Sequence, residues 1–84
     1  MLFIFEEERT LSFWMKDTLI PLDILFIDAG QLIVDIHTMH PEPEATDAAL
    51  TVYRSRAPAK YALEINAGVA SELDLSPGMR VIFR

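Results

Sequence analysis

"DILFIDAGQLIVDIH", Asp23 to His37, decides the fold. "DILFID" is apolar on both faces and bounded by acids, the pattern of a central strand covered on each side. "DAGQ" follows as a turn, with Gly30 available for a positive φ. "LIVDIH" then alternates, which sets Leu32, Val34 and Ile36 inward and Asp35 and His37 outward. Two apolar runs joined by so short a turn predict a β-hairpin at the centre of the molecule.

Moving upstream, "LSFWMK" has period two, with Leu11, Phe13 and Met15 on one face and Ser12, Trp14 and Lys16 on the other. That predicts a half-buried strand. "DTLIP" ends it, because Pro21 lacks an N–H and holds Ile20 extended, so the chain bends. At the front, "LFIF" (2–5) reads as a short strand and "EEER" (6–9) as a solvated turn. Downstream, residues 38–59 lack periodicity and contain Pro41, Pro43 and Pro58; a connection of that length tends to be functional. "YALEIN" (61–66) resumes a strand with Tyr61, Leu63 and Ile65 inward. "VASELDL" spaces Val69 and Leu73 as one short amphipathic helix. Gly68 admits the turn into it and Gly78 the turn out, and "MRVIFR" closes as a strand. The expected core is Phe3, Phe5, Phe13, Ile24, Phe26, Leu32, Val34 and Ile36, completed by Leu63, Ile65, Leu73 and Val81. The fold class is mainly β: a small antiparallel β-barrel or strongly curved sheet with one short helix in the C-terminal half.

Composition bounds the rest. The chain has 84 residues, which fits a single domain spanning 1–84. It is 51% hydrophobic, high for so small a surface, so part of that apolar area is expected to meet a partner. A net charge of −6 disfavours nucleic acid. No apolar run reaches the length of a membrane span, so no membrane insertion is expected. With no cysteine, disulfides and thiolate metal sites are excluded.

The stretches "MLFIF", "FWMKDTLIPLDILFID", "YALEINAG" and "LSPGMRV" together resemble the small bacterial and archaeal proteins grouped as domain of unknown function 192. The resemblance covers nearly the whole chain, and its "FWMK-x-T-x-x-P-L-D" stretch is specific. Asparagine is usual in that family where this chain has Asp17. The resemblance implies a compact β-barrel-like domain and brings no established activity. It further implies an additional N-terminal segment, often led by a secretion signal, ahead of "MLFIF". On that expectation the chain is an N-terminally shortened version; the resemblance suggests a periplasmic or secreted location, while no signal peptide is read in this chain and its compartment is left open. Loss of such a segment would bare the edge of Leu2–Phe5, so a homodimer is expected.

Three constellations carry candidate chemistry. The corner of Trp14, Lys16, Asp17, Thr18 and Asp23 has a bland reading, in which Asp17, Thr18 and Asp23 bond nearby backbone and hold the turn at Pro21. Its sharper reading is a ligand patch: an exposed indole beside a lysine and carboxylates suits a saccharide or small polar ligand. "HTMHPEPE" offers His37, His40, Glu42 and Glu44 as a weak metal set, which the prolines fan apart; no metal and no cofactor is expected. Paired carboxylates drawn from Asp17, Asp23 and Glu64, the last on the outward face of its strand, would be needed for hydrolysis of a saccharide or similar polar polymer. No glycine-rich phosphate loop or nucleophile elbow is present. The arginines Arg54 and Arg56, with Lys60, are expected to pair with Glu42, Glu44 or Asp47. Because no catalytic set has defined spacing, a non-enzymatic binding or interaction module is preferred over an enzyme, with Trp14, Lys16, Asp17, Thr18, Asp23 and Glu64 as its binding residues.

Overall fold

A computed structural model describes residues 1–83. Six strands and one helix follow in order: β1 (Leu2–Arg9), β2 (Ser12–Phe13), β3 (Leu22–Ile27), β4 (Ile33–Met39), β5 (Tyr53–Arg54), β6 (Ala59–Asn66) and α1 (Val69–Glu72). The main sheet is antiparallel in the order β1-β6-β3-β4, and β2 with β5 forms a second, two-stranded sheet. The fold is therefore mainly β with one short helix. The sheets do not close into a barrel: the main sheet has two edges, β1 and β4.

β3 is the central strand that its two-sided apolar pattern predicts. Asp23 to Ile27 are all buried, and β4 and β6 lie on either side. One face of the sheet packs Ile24, Phe26 and Ala62 against Leu11 and Met15, with Phe3 and Phe13 at the boundary. Phe13 links this layer, its ring 5.2 Å from Phe3 and 5.9 Å from Phe26. The alternation in "LSFWMK" is thus realised in burial, with Leu11 and Met15 inside and Trp14 outside, although only two of those residues pair as strand. The opposite face packs Leu25, Ile27 and Ile33 under Ala70, with Leu75, Val81 and Phe83 around them.

Several local expectations are corrected. Glu6–Arg9 do not form a turn but continue β1. The pairing runs Ile4↔Tyr61 and then Arg9↔Ala59, so four residues of β1 (Phe5–Glu8) face one of β6 (Lys60). A bulge lets acidic residues stay solvated inside a strand, and Glu8 uses it to accept the Ala29 N–H at 2.7 Å. In the β3–β4 turn Gln31, not Gly30, takes the positive φ, at 65°. Asp28 accounts for this: its backbone N–H donates to Leu32, its carbonyl accepts from Gln31, and its side chain accepts from Leu32.

A second bulge reverses the expected facing of β4. Phe26 pairs with Asp35 and Ile27 with Ile33, leaving Val34 as the extra residue. Asp35 and His37 consequently share the face of Phe26 and Ile24, and Asp35 is buried rather than outward. Val34 turns to the opposite face from Ile36. At the C-terminal end, Leu73 is 61% exposed because the helix stops at Glu72 and buries Ala70 instead. The expected last strand is reduced to one bridge, Leu32↔Arg80. Gly78–Val81 nonetheless dock on the start of β4 through the Gly78 N–H to Ile33, the Ile33 N–H to Met79 and the Val81 N–H to Gln31, each 2.8 Å.

Candidate functional site

The corner after β2 is anchored by Met15, which is buried, and closed by the Thr18 N–H donating to the Met15 carbonyl at 3.2 Å. Between them Asp17 adopts φ 56°. Asparagine and aspartate tolerate this left-handed conformation better than other side-chain-bearing residues, so the asparagine usual in the resembling family and the aspartate here suit one geometry. The Thr18 hydroxyl donates to the Lys16 carbonyl at 3.2 Å and tightens the turn.

Trp14 and Lys16 leave this corner on the same side. The indole is 45% exposed, and the Lys16 ammonium lies 5.7 Å from its ring centre. The same ammonium donates to Asp47 Oδ2 at 2.8 Å. That hydrogen bond and the carboxylate's charge raise the Lys16 pKa above the ordinary lysine value. Asp47 opens a 3₁₀ turn, Asp47–Ala49, within the long connection. The ion pair thus ties the corner to the connection, across a cleft of about 130 Å³ whose polar lining is Lys16, Asp17, Thr18, Glu42 and Asp47 and whose apolar lining is Leu19, Pro43, Ala45 and Leu50. A shallow hollow of about 200 Å³ runs from Trp14 along Ser12, Phe13 and Val52. Lys16 stands between hollow and cleft.

Four of the six expected binding residues, Trp14, Lys16, Asp17 and Thr18, therefore meet at one place. Asp23 does not join them. It is buried, with Oδ1 accepting from the Thr38 hydroxyl at 2.8 Å and Oδ2 from the Gly68 and Ala70 N–H groups at 3.0 and 3.1 Å. Its work is structural, but on the β6–α1 turn rather than on the bend at Pro21. Glu64 does not line the cleft either, and the expectation that it faces outward is corrected. It pairs with Ile24 and shares that residue's buried face. Partial burial raises its pKa, opposed by the positive charge of the Met1 amine.

The histidine segment is engaged in holding strands. The ring Nε2 of His37 lies 2.8 Å from Asp35 Oδ2 and 3.1 Å from the Arg54 carbonyl. Glu42 accepts the Thr51 N–H at 2.9 Å. Among the described residues no three of His, Asp and Glu converge as metal ligands. The expected pairing of Arg54 and Arg56 with Glu42, Glu44 or Asp47 is also corrected: among the described residues Asp47 pairs with Lys16, and neither arginine forms an ion pair.

Two buried polar residues escaped the sequence reading. Asp35 accepts the Ile36 and Arg56 N–H groups, both at 3.0 Å, as well as facing His37. The Ser55 hydroxyl accepts the Leu11 N–H at 2.9 Å while its own N–H donates to the Leu11 carbonyl. Together they fasten β5 to β4 and to the start of β2. The signal for Asp35 was the bulge, which sequence alternation cannot display. Asp47 escaped as a cleft residue because it lies 31 positions from its partner Lys16.

The family model for domain of unknown function 192, described as "Uncharacterized ACR", matches residues 1–83, and the chain belongs to that family. A comparison with curated proteins found no match. Among solved structures, a Sinorhizobium meliloti 1021 protein bearing a provisional transcription-regulator label is similar, with 42% identity and a TM-score of 0.79 over 95% of this chain and 58% of that one. A Novosphingobium aromaticivorans protein of unknown function is similar as well, with 31% identity and a TM-score of 0.82 over 99% of this chain and 56% of that one. The chain thus spans little more than half the length of either relative.

Proposed function

We propose that the protein is a non-enzymatic binding module and that its ligand surface is the Trp14–Lys16 corner with the adjoining cleft. The observation that carries the reading is the solvent-open indole set beside a cleft of mixed lining, in which Leu19, Pro43, Ala45 and Leu50 supply apolar wall and the charged and hydroxyl groups of the corner converge. An aromatic face takes up the C–H face of a sugar ring, while charged and hydroxyl groups at its margin bond the ring's hydroxyls. Lys16, Asp17, Thr18 and Asp47 supply those groups within one cleft. Hydrolysis of such a ligand would need two carboxyl groups placed about a glycosidic bond. Asp23 is committed to Thr38, Gly68 and Ala70, Glu64 lines another face, and the two other carboxylates of the cleft, Glu42 and Asp47, already accept the Thr51 N–H and the Lys16 ammonium, so Asp17 is left without a free partner for such a pair. The regulator label of the Sinorhizobium relative is not carried over, because a chain of net charge −6 repels a phosphate backbone.

Trp14 is the sole tryptophan, so its emission reports on this corner alone. Titration with neutral oligosaccharides, such as chito- and cello-oligosaccharides, should produce a saturable change in emission. By calorimetry, Trp14→Ala should weaken binding about tenfold or more, the equivalent of losing about 1.4 kcal/mol of contact. Emission and heat that stay unchanged across the series up to millimolar sugar would refute the reading.

A further inference from the structure

The outer face of the small β2–β5 sheet continues the Trp14 surface away from the cleft. Residues 10–14 alternate, with Leu11 buried and Phe13 packed on the core, while Thr10, Ser12 and Trp14 are exposed. The facing segment alternates in step: Tyr53 packs on the core and Ser55 is buried, while Val52, Arg54 and Arg56 are exposed. Ser12 lies opposite Arg54, and Phe13 opposite Tyr53. Leu11 and Ser55 continue the alignment, the Leu11 N–H donating to the Ser55 hydroxyl and the Ser55 N–H to the Leu11 carbonyl. Trp14 and Val52 meet as walls of the shallow hollow of about 200 Å³, which Ser12 extends. Arg54 therefore stands at the end of the hollow remote from Lys16, two residues along the strand from the indole, about 7 Å at the rise of a strand. Arg56 follows where the chain bends to donate its N–H to Asp35. The charges on the two sides of the indole are opposite. Asp17, Glu42 and Asp47 lie in the cleft beside Lys16. On the other side, among the described residues, neither arginine forms an ion pair, in a chain with 13 acidic side chains to 7 lysines and arginines. Two unmatched guanidinium groups beside an exposed ring are thus a local excess of positive charge on an acidic molecule.

We infer that the saccharide taken up at Trp14 carries a uronate, whose carboxylate is held by Arg54 with Arg56 beside it. The inference rests on the saccharide reading of the corner and adds the chemical class of the ligand. A chain of sugar rings stacked on the indole and running along the hollow passes the Ser12 hydroxyl and reaches Arg54. A guanidinium grips a carboxylate through two parallel N–H···O bonds, a geometry that an ammonium lacks. The charge asymmetry also orients the ligand. Its acidic ring lies on the arginine side, because in the cleft three carboxylates outnumber the single lysine and a neutral ring belongs there. A polymer with a charge on every ring would place carboxylates against that cleft and is disfavoured. The net charge of −6 does not oppose a single carboxylate at Arg54, since exposed charges beyond about 8 Å are largely screened at physiological salt. An acidic peptide would meet the arginines without using the indole, whereas a sugar bearing one uronate uses the ring, the hydroxyl and the guanidinium groups together.

Calorimetry of the whole chain with matched probes tests it: cello-oligosaccharides, and the same oligosaccharides with one terminal ring oxidised at C6 to the uronate. The uronate should bind about tenfold tighter or more, the scale of a charge-assisted pair of hydrogen bonds. Arg54→Gln, alone or with Arg56→Gln, should bring the uronate down to the level of the neutral sugar, and rising salt should narrow the difference between the two probes. Both arginines are exposed, so these variants keep the fold. A uronate that binds no tighter than its neutral counterpart overturns the inference. Saturable binding of the neutral sugar would then leave the saccharide reading standing, and silence from both probes would remove both. An advantage that survives the arginine variants, or that is lost in Lys16→Gln instead, places the carboxylate in the cleft and also refutes this assignment. So would a glutamate oligopeptide that binds as tightly as the uronate with the same dependence on Arg54.

Discussion

Asp23 shows how much one carboxylate can hold. It joins β3 to β4 through Thr38 and to the β6–α1 turn through Gly68 and Ala70, which lie 45 and 47 positions away. Replacing it by alanine leaves the buried Ala70 N–H, the Gly68 N–H and the Thr38 hydroxyl without their acceptor. An unsatisfied buried group costs about 1–3 kcal/mol, so Asp23→Ala should lower the unfolding free energy by at least about that much. Urea unfolding should show a lower midpoint with an unchanged slope; an unchanged midpoint would mean that water replaces the carboxylate without loss. The sequence signalled that Asp23 would accept backbone N–H groups, since aspartate beside a proline bend commonly does. It did not signal which ones, because neither Gly68 nor Ala70 is near it in the chain. Trp14, Lys16, Asp17 and Thr18 were legible as a group for the opposite reason: a single turn fixes their relations, and a turn is a local event.

Among the elements, those with unbroken patterns were read well. β3 is central because its apolar run has no polar face, and the β3–β4 hairpin follows from its short turn. Irregular elements were hidden. The acids of Glu6–Arg9 read as a turn because they are solvated, whereas the bulge keeps them solvated within β1. The bulge at Val34 turned Asp35 inward against the alternation. Helix α1 was legible as a helix but not in which residue it buries, since four residues are too few for an i, i+4 face to form. Its start depends on Gly68, whose φ is 94° and whose N–H meets Asp23. A Cβ placed there would touch nothing within 4 Å. Gly68→Ala should therefore cost only the backbone term, about 1–2 kcal/mol for an alanine held in the left-handed region. Thermal unfolding would check this, and a loss well beyond that range would reveal a displaced Asp23 as well.

At the scale of the whole molecule, two-sided burial of one central sheet explains what composition could only hint at. A 51% hydrophobic chain can cover both faces of its sheet, one with the β2–β5 layer and the other with α1 and the C-terminal segment. What remains apolar and exposed includes Leu2 and Ile4 on β1 and Trp14 at the corner. The mainly β class was legible from the period-two segments, whereas closure into a barrel was not decided by them. Closure depends on whether the first and last strands of the sheet meet, and no local pattern encodes that.

The position of β6 has a consequence for how the chain is made. It is the last strand in sequence, yet it lies between β1 and β3, the first and third. A ribosome delivers residues in order, so β1 and β3 emerge with a vacant lane between them. Only the β3–β4 hairpin can form within the main sheet before residue 59 has been translated. Asp23 must likewise wait for Gly68. Strands joined only by distant partners gain stability late, after the entropy of closing the long loop has been met. The nascent chain should thus stay protease-sensitive over most of its length and become resistant abruptly once β6 has cleared the exit tunnel. Stalled chains of increasing length, exposed to brief proteolysis, would show a single step of protection if β6 completes the sheet; gradual protection from the N-terminus would contradict this order of assembly.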